Sequence, residues 1–339
     1  SAVSAATNTG NQMQNNRNFY ITIALSILIL TLWQVFYMNP RIEQQREVQR
    51  VELERIEKEK AAQTPSAAPG VTAAPGTPGT VSEASVAAND SLSRDAALAQ
   101  SQRVTIDTPA LSGSINLTGA RFDDIVLKNF REDEAKSSPP IKLLSPAPLQ
   151  SGYFAELGYS GNAATGQVPG PETKWTIEGN ATLTPTAPVT LTYTNEKGLT
   201  FKRTIAVDPE YMFTVSDSVT NAGAAPVFVL FEGLIGVAGE EGLQEITYDS
   251  ALEDKEIKPA KSANGWLGIT DKYWATALVP SAKQPFQMRF SHFEDGRPRF
   301  QSDFLSDPVT IAPGAGETIE HLLFAGAKEV GKIDAYEKE

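Results

Sequence analysis

The hydrophobic pattern divides the chain into two regimes. Phe19 to Tyr37 is an uncharged run of nineteen residues. As a helix rising about 1.5 Å per residue it would extend roughly 28 Å, close to the hydrocarbon thickness of a bilayer. Thr22, Ser26, Thr31 and Gln34 interrupt the run without charge. Thr and Ser hydroxyls can bond back to the preceding helical turn. Tyr20 at one end and Trp33 and Tyr37 at the other suit interfacial belts. The run is apolar on all faces, which argues against a buried core helix. It is longer than a signal h-region, and the following MNPRIEQQR offers no small-residue cleavage site. An uncleaved membrane anchor over residues 13–40 is therefore expected.

From Arg103 the period changes to two. Val104 and Ile106, then Ile115 and Leu117, alternate with polar residues. Similar runs follow at 121–130, 173–178, 189–194, 199–207, 211–220, 226–236, 274–279, 286–293, 299–305, 308–312 and 317–324. Turn signals separate them, among them Asp208-Pro209, Asn221-Ala222-Gly223, Asp295-Gly296 and Pro313-Gly314. So many short strands without intervening helices predict stacked antiparallel sheets over 103–327, mainly β and in one large sandwich. No fixed-period repeat supports a propeller.

Between the two regimes, residues 41–63 read as a charged helical stalk, with Val48, Val51 and Ile56 as a thin apolar stripe. A coiled coil is the sharper alternative, but the heptads are too few. Residues 64–102 are a linker rich in Ala, Pro, Gly, Ser and Thr, too polar to offset its chain entropy. Its last part, SLSRDAALAQSQ, reads as either a short helix or more linker. Residues 1–12 are small and polar and read as an appended remnant or a leader, with Met13 a natural start. At the other end, residues 328–339 turn helical. Val330, Ile333 and Tyr336 recur at i, i+3 and i+6, so they are expected to dock one helical face on the sandwich. The tail ends at Glu339 without a stop signal, as if the chain continued.

Composition narrows the partners. The net charge of −12 over 339 residues argues against a nucleic-acid surface, and the chain has no Cys. The anchor is flanked by Arg17 on one side and by Arg41, Arg46, Arg50, Arg55, Lys58 and Lys60 on the other. A positive-inside count would keep the large domain in the cytoplasm, but large domains also translocate despite such charge. Charge alone leaves the orientation open.

Candidate chemistry is sparse. His292 and His321 are the only histidines, both within strand patterns, and no metal-ligand spacing, GxSxG, P-loop or dinucleotide fingerprint occurs. Catalytic, cofactor and metal residues are expected to be none. The acid pairs Asp123-Asp124 and Glu240-Glu241 read as solvated turns. The densest cluster is Trp266, Asp271, Lys272, Tyr273 and Trp274. It reads either as an aromatic platform for a sugar or peptide, or as a tight turn whose aromatics flank the core.

Four segments carry a resemblance: NRNFYITIALSILILTLWQVFY, TPALSGSINLTGARFDDIVLKNF, WLGITDKYW and LLFAGAKEVGKIDAYEKE. In order and spacing they resemble the N-terminal part of the YidC family of membrane protein insertases. The resemblance implies an N-in first helix in the bacterial inner membrane. It also implies a large periplasmic β-supersandwich similar to galactose mutarotases, closed by a helix. It implies insertase activity in later transmembrane helices that this sequence lacks, which makes this part an accessory and interaction domain. The implied partners are the lipid bilayer, nascent membrane proteins through the full-length protein, and Sec translocase subunits. The alternative is a membrane-anchored sugar-binding or mutarotase-like domain, which needs a histidine beside a carboxylate in a cleft.

Overall fold

The computed structural model describes residues 92–135, 137–238, 256–257, 261–293 and 299–338. The expected anchor, the stalk, the linker up to residue 91 and Glu240-Glu241 lie outside them. Among the described residues no helix is long and apolar enough to cross a membrane.

A short helix comes first, α1 (Arg94–Leu98). Eighteen strands follow: β1 (Arg103–Asp107), β2 (Leu111–Asn116), β3 (Arg121–Arg131), β4 (Pro140–Leu144), β5 (Tyr153–Gly161) and β6 (Thr176–Glu178). Next come β7 (Thr182–Leu183), β8 (Val189–Thr194), β9 (Leu199–Val207), β10 (Met212–Asn221), β11 (Val227–Ala238) and β12 (Glu256–Ile257). The last are β13 (Leu267–Thr270), β14 (Trp274–Val279), β15 (Phe286–Phe293), β16 (Arg299–Ser306), β17 (Val309–Ile311) and β18 (Gly316–Ala327), before the helix α2 (Val330–Lys338).

The strands form two sheets. The larger has eleven strands in the order β12-β15-β16-β11-β5-β3-β2-β1-β7, with β17 added to β11 and β4 to β3. The smaller has seven, β13-β14-β18-β10-β9-β8-β6. All pairings are antiparallel except β1 with β7. Alternation places one side chain in two inside. In β9 and β10, Leu199, Phe201, Ile205, Phe213, Val215 and Val219 are buried, with polar residues between them. They belong to the same apolar core as Phe122, Phe231, Phe286 and Phe304 of the larger sheet. Hydrogen bonds also join the sheets. The Tyr153 hydroxyl donates to the Ile269 carbonyl at 3.0 Å, and Arg203 Nη1 donates to the Leu157 carbonyl at 2.8 Å.

The outer face of the larger sheet departs from expectation. Asp123 and Asp124 are not solvated turn residues but lie within β3, 2% and 7% exposed. Arg103 pairs with Asp123. Arg94 pairs with Asp124 at 2.5 Å and donates to the Ser145 hydroxyl at 2.6 Å and the Leu144 carbonyl at 3.0 Å. Through Arg94, the described part of SLSRDAALAQSQ, from Leu92 on, is fastened to the sheet with the short helix α1, capped by Ser93.

Candidate functional site

The hairpin β13–β14 and the helix α2 carry the residues singled out in the sequence. Leu267↔Leu278 through Thr270↔Ala275 pair in register, so Asp271, Lys272 and Tyr273 form the turn. The turn closes through Asp271 N–H to the Trp274 carbonyl at 2.9 Å. The Lys272 N–H donates to the Asp271 carboxylate, and the Lys272 ammonium sits 5.0 Å over the Tyr273 ring. Hydrogen bonding to the Tyr273 side chain, with its charge interaction, favours the charged form and holds the Lys272 pKa above its usual value. Trp274 packs inward, edge-on to Phe130 at 5.1 Å. Tyr273 and Trp266 point to solvent, 58% and 60% exposed.

The turn brings Tyr273 and Trp274 together, at 6.1 Å between rings. It does not bring Trp266 to them, because Trp266 precedes β13 while Tyr273 follows it. Four extended residues separate the two by about 13 Å of strand. The three aromatics therefore do not form one platform.

Two bonds couple the hairpin to the chain entering α2. Lys328 N–H donates to the Tyr273 carbonyl at 2.8 Å, and Lys328 Nζ donates to Thr270 Oγ1 at 2.9 Å. The docking of α2 differs from the apolar stripe expected. Val330 and Ile333 face solvent, 73% and 39% exposed, and only Tyr336 of the three packs on the core. Polar residues hold the helix to the β9–β10 turn. The Tyr336 hydroxyl donates to Asp208 and accepts from Tyr211 N–H at 3.4 Å. Lys332 reaches Glu210 at 2.5 Å and Glu329 at 2.8 Å, with its ammonium 4.7 Å over the Tyr211 ring. The Tyr211 hydroxyl donates to Glu329 at 2.9 Å. Gly326 makes this possible, since a Cβ there would fall 2.2 Å from Tyr211 Cγ. The sequence signal for this latch is confined to the turn Asp208-Pro209-Glu210-Tyr211, more than a hundred residues upstream of the helix.

Ionisation follows from these contacts. The bond from Lys332, opposed by desolvation, holds Glu329 below the usual carboxylate range. Desolvation pushes the Tyr211 hydroxyl up to about 12, and desolvation together with Asp208 raises Tyr336. Desolvation works against the Lys332 charge, but the bonds to Glu210 and Glu329 outweigh it and raise its pKa. A depressed carboxylate gives up its stabilisation as the pH falls through its folded pKa. Raised Tyr and Lys groups give theirs up as the pH rises beyond about 10. The latch should thus hold across neutral pH and open at both extremes. Tyr336→Ala should cost about 2 kcal/mol and free α2, read as loss of amide-exchange protection in 330–338. Ile333→Asp should leave that protection nearly unchanged, because Ile333 does not touch the domain's core.

The histidines take no part. His321 is 2% exposed between the sheets. Its Nδ1 accepts from Ser281 N–H at 3.1 Å and its Nε2 has no partner. His292 is stacked on Phe300 at 4.5 Å, and among the described residues neither of its ring nitrogens has a hydrogen-bond partner. A shallow depression on the outer face of the larger sheet is lined by Glu156, Glu232, Leu234 and Asp303, and neither histidine lines it. Arg121 binds Glu156 at 2.8 Å and Arg289 binds Asp303 at 2.9 Å, one on each side of Leu234. No local pattern marks this row, because its members come from five separate strands. Among the described residues no cluster of three or more His, Cys, Asp or Glu could hold a metal ion.

The profile of the YidC periplasmic domain matches residues 103–229 and 227–339. The membrane protein insertase YidC of Mesorhizobium japonicum is 55% identical, covering 96% of this chain and 57% of its own length. The chain belongs to the YidC family. YidC of Rhizobium meliloti is 51% identical over 96% of this chain and 56% of its own. The chain thus spans a little over half the length of the curated YidC relatives it matches. Among solved structures, a galactose mutarotase related enzyme from Lactobacillus acidophilus covers 68% of this chain and 99% of its own, at 8% identity and a TM-score of 0.45.

Proposed function

We propose that this chain is the anchor and periplasmic domain of an inner-membrane insertase, and that it serves insertion as an accessory and interaction domain. The observation that carries the reading is the identity of 51–55% to YidC insertases over nearly the whole chain. Phe19–Tyr37 is the N-in anchor, the bilayer and nascent membrane proteins are partners of the full-length protein, and a Sec translocase subunit is a partner of this domain. Among the described residues β13 is the edge strand of the smaller sheet, next to the exposed Trp266, and it suits an added strand from such a partner. A mutarotase reading would need a histidine hydrogen-bonded to a carboxylate in a cleft, and the surroundings of His292 and His321 do not favour it.

Two measurements test the reading. Protease added to intact spheroplasts should digest the β domain; protection would overturn the orientation. A photo-crosslinker in place of Trp266 in the full-length protein should capture a Sec subunit. Capture of none, with the same probe active elsewhere on the domain, would remove β13 as the interface.

A further inference from the structure

The helix α2 is turned against the usual logic of amphipathic packing. With Glu329 just before it, it gives the domain Lys332 and Tyr336, the three spaced three and four residues apart, and gives solvent its aliphatic pair Val330 and Ile333. Tyr273 is tied to the chain entering this helix, its carbonyl accepting from Lys328 N–H two residues before Val330. Among the described residues only five large hydrophobic side chains are exposed, and Tyr273, Val330 and Ile333 are three of them. Lys272 lies fully exposed over the Tyr273 ring.

We infer that this end of the domain, Tyr273 and Lys272 with the Val330–Ile333 face of α2, rests on the headgroup layer of a zwitterionic lipid membrane. Three observations choose lipid. A tyrosine capped by a lysine and flanked by aliphatics is the side-chain set that settles at a bilayer interface, apolar body inward and polar tip in the headgroups. Of the exposed charges here, Lys272 and Lys328 stand against Asp334, while the half-buried acids Glu210 and Glu329 are paired with Lys332, in a chain of net charge −12. A patch without an excess of exposed acid is where an acidic domain meets a headgroup layer with least repulsion. Finally, the uncharged run Phe19–Tyr37 would tether the domain to a bilayer and keep the local lipid concentration high. The inference rests on that membrane-tethered reading.

The absence of cysteine makes the test clean. The full chain, reconstituted in phosphatidylcholine vesicles, carries one spin label at a time through Val330→Cys, Ile333→Cys or, as a control, Phe228→Cys. Phe228 is 46% exposed near the start of β11, whereas it is the far end of that strand, at Val237, that pairs with Tyr153 and so lies next to β13. Power-saturation spectra compare access of oxygen, which partitions into lipid, with access of a water-soluble nickel chelate. The 330 and 333 labels should show an oxygen-to-nickel ratio several-fold above that at 228. Equal ratios at all three would overturn the inference. Shielding of 330 and 333 from both reagents would also overturn it, because protein would then cover the face. Flotation of the chain with the vesicles is read separately. Its loss would overturn both the tether and the inference, whereas flotation with aqueous labels sinks only the inference.

Discussion

Arg203→Ala should remove about 3–5 kcal/mol of stability, the largest loss expected from a single substitution here. Arg203 and Asp217 are 0% and 1% exposed, joined by two bonds of 2.7 and 2.8 Å. The third arm of the guanidinium donates to the Leu157 carbonyl of the opposite sheet at 2.8 Å. Its plane lies 5.2 Å from Trp175 and 5.7 Å from Tyr159. Alanine leaves the Asp217 carboxylate in the core without its cation and the Leu157 carbonyl without its donor. Desolvation works against the Arg203 charge, yet the charge and bonds of Asp217 outweigh it and raise the pKa, so the guanidinium stays charged. Arg203→Met combined with Asp217→Leu should recover most of the loss, since it leaves no isolated charge. Urea unfolding followed by circular dichroism measures both. A drop below about 1 kcal/mol for Arg203→Ala would show that water reaches this pair.

Acid should unfold the domain through His321. Burial lowers its pKa to about 4, with Asp217 opposing and Arg203 adding to the shift. The folded state thus favours the neutral ring, and that preference is fully present above the unfolded pKa of about 6.5. It is lost as the pH falls towards 4, at a cost of about 3 kcal/mol. His321→Phe should flatten the stability profile between pH 6.5 and 4, since Phe231 and Phe304 already face the ring at 6.2 and 5.3 Å. Parallel profiles for the variant and the native chain would assign the acid limb to other groups.

Strands with one buried face were legible, because their alternation survives in the sequence. β9, β10 and β15 lie within a residue of the expected positions. β5 was missed because six consecutive residues, Phe154 to Tyr159, are buried, which erases the period of two. The acids of β3 looked solvated because their arginine partners are elsewhere, Arg94 and Arg103 being 30 and 20 residues away. Sequence closeness grouped Trp266 with Tyr273, and an extended strand separates them. The helical phase of Val330, Ile333 and Tyr336 was correct as geometry. It could not reveal that the surface offered at Asp208–Tyr211 is polar, which turns the aliphatic edge outward.

The position of β18 has a consequence for synthesis. It is the last of the eighteen described strands, yet it lies inside the smaller sheet, with β10 on one side and β14 on the other. A nascent domain that has emerged only as far as Phe300 holds two half-sheets with open edges facing an empty slot. Neither can close until Gly316–Ala327 arrives. An open strand edge is a template for any neighbouring strand. The interval before the last twelve-residue strand is inserted is therefore when this domain most needs a holdase, and pausing of the ribosome between residues 300 and 316 would prolong that exposure.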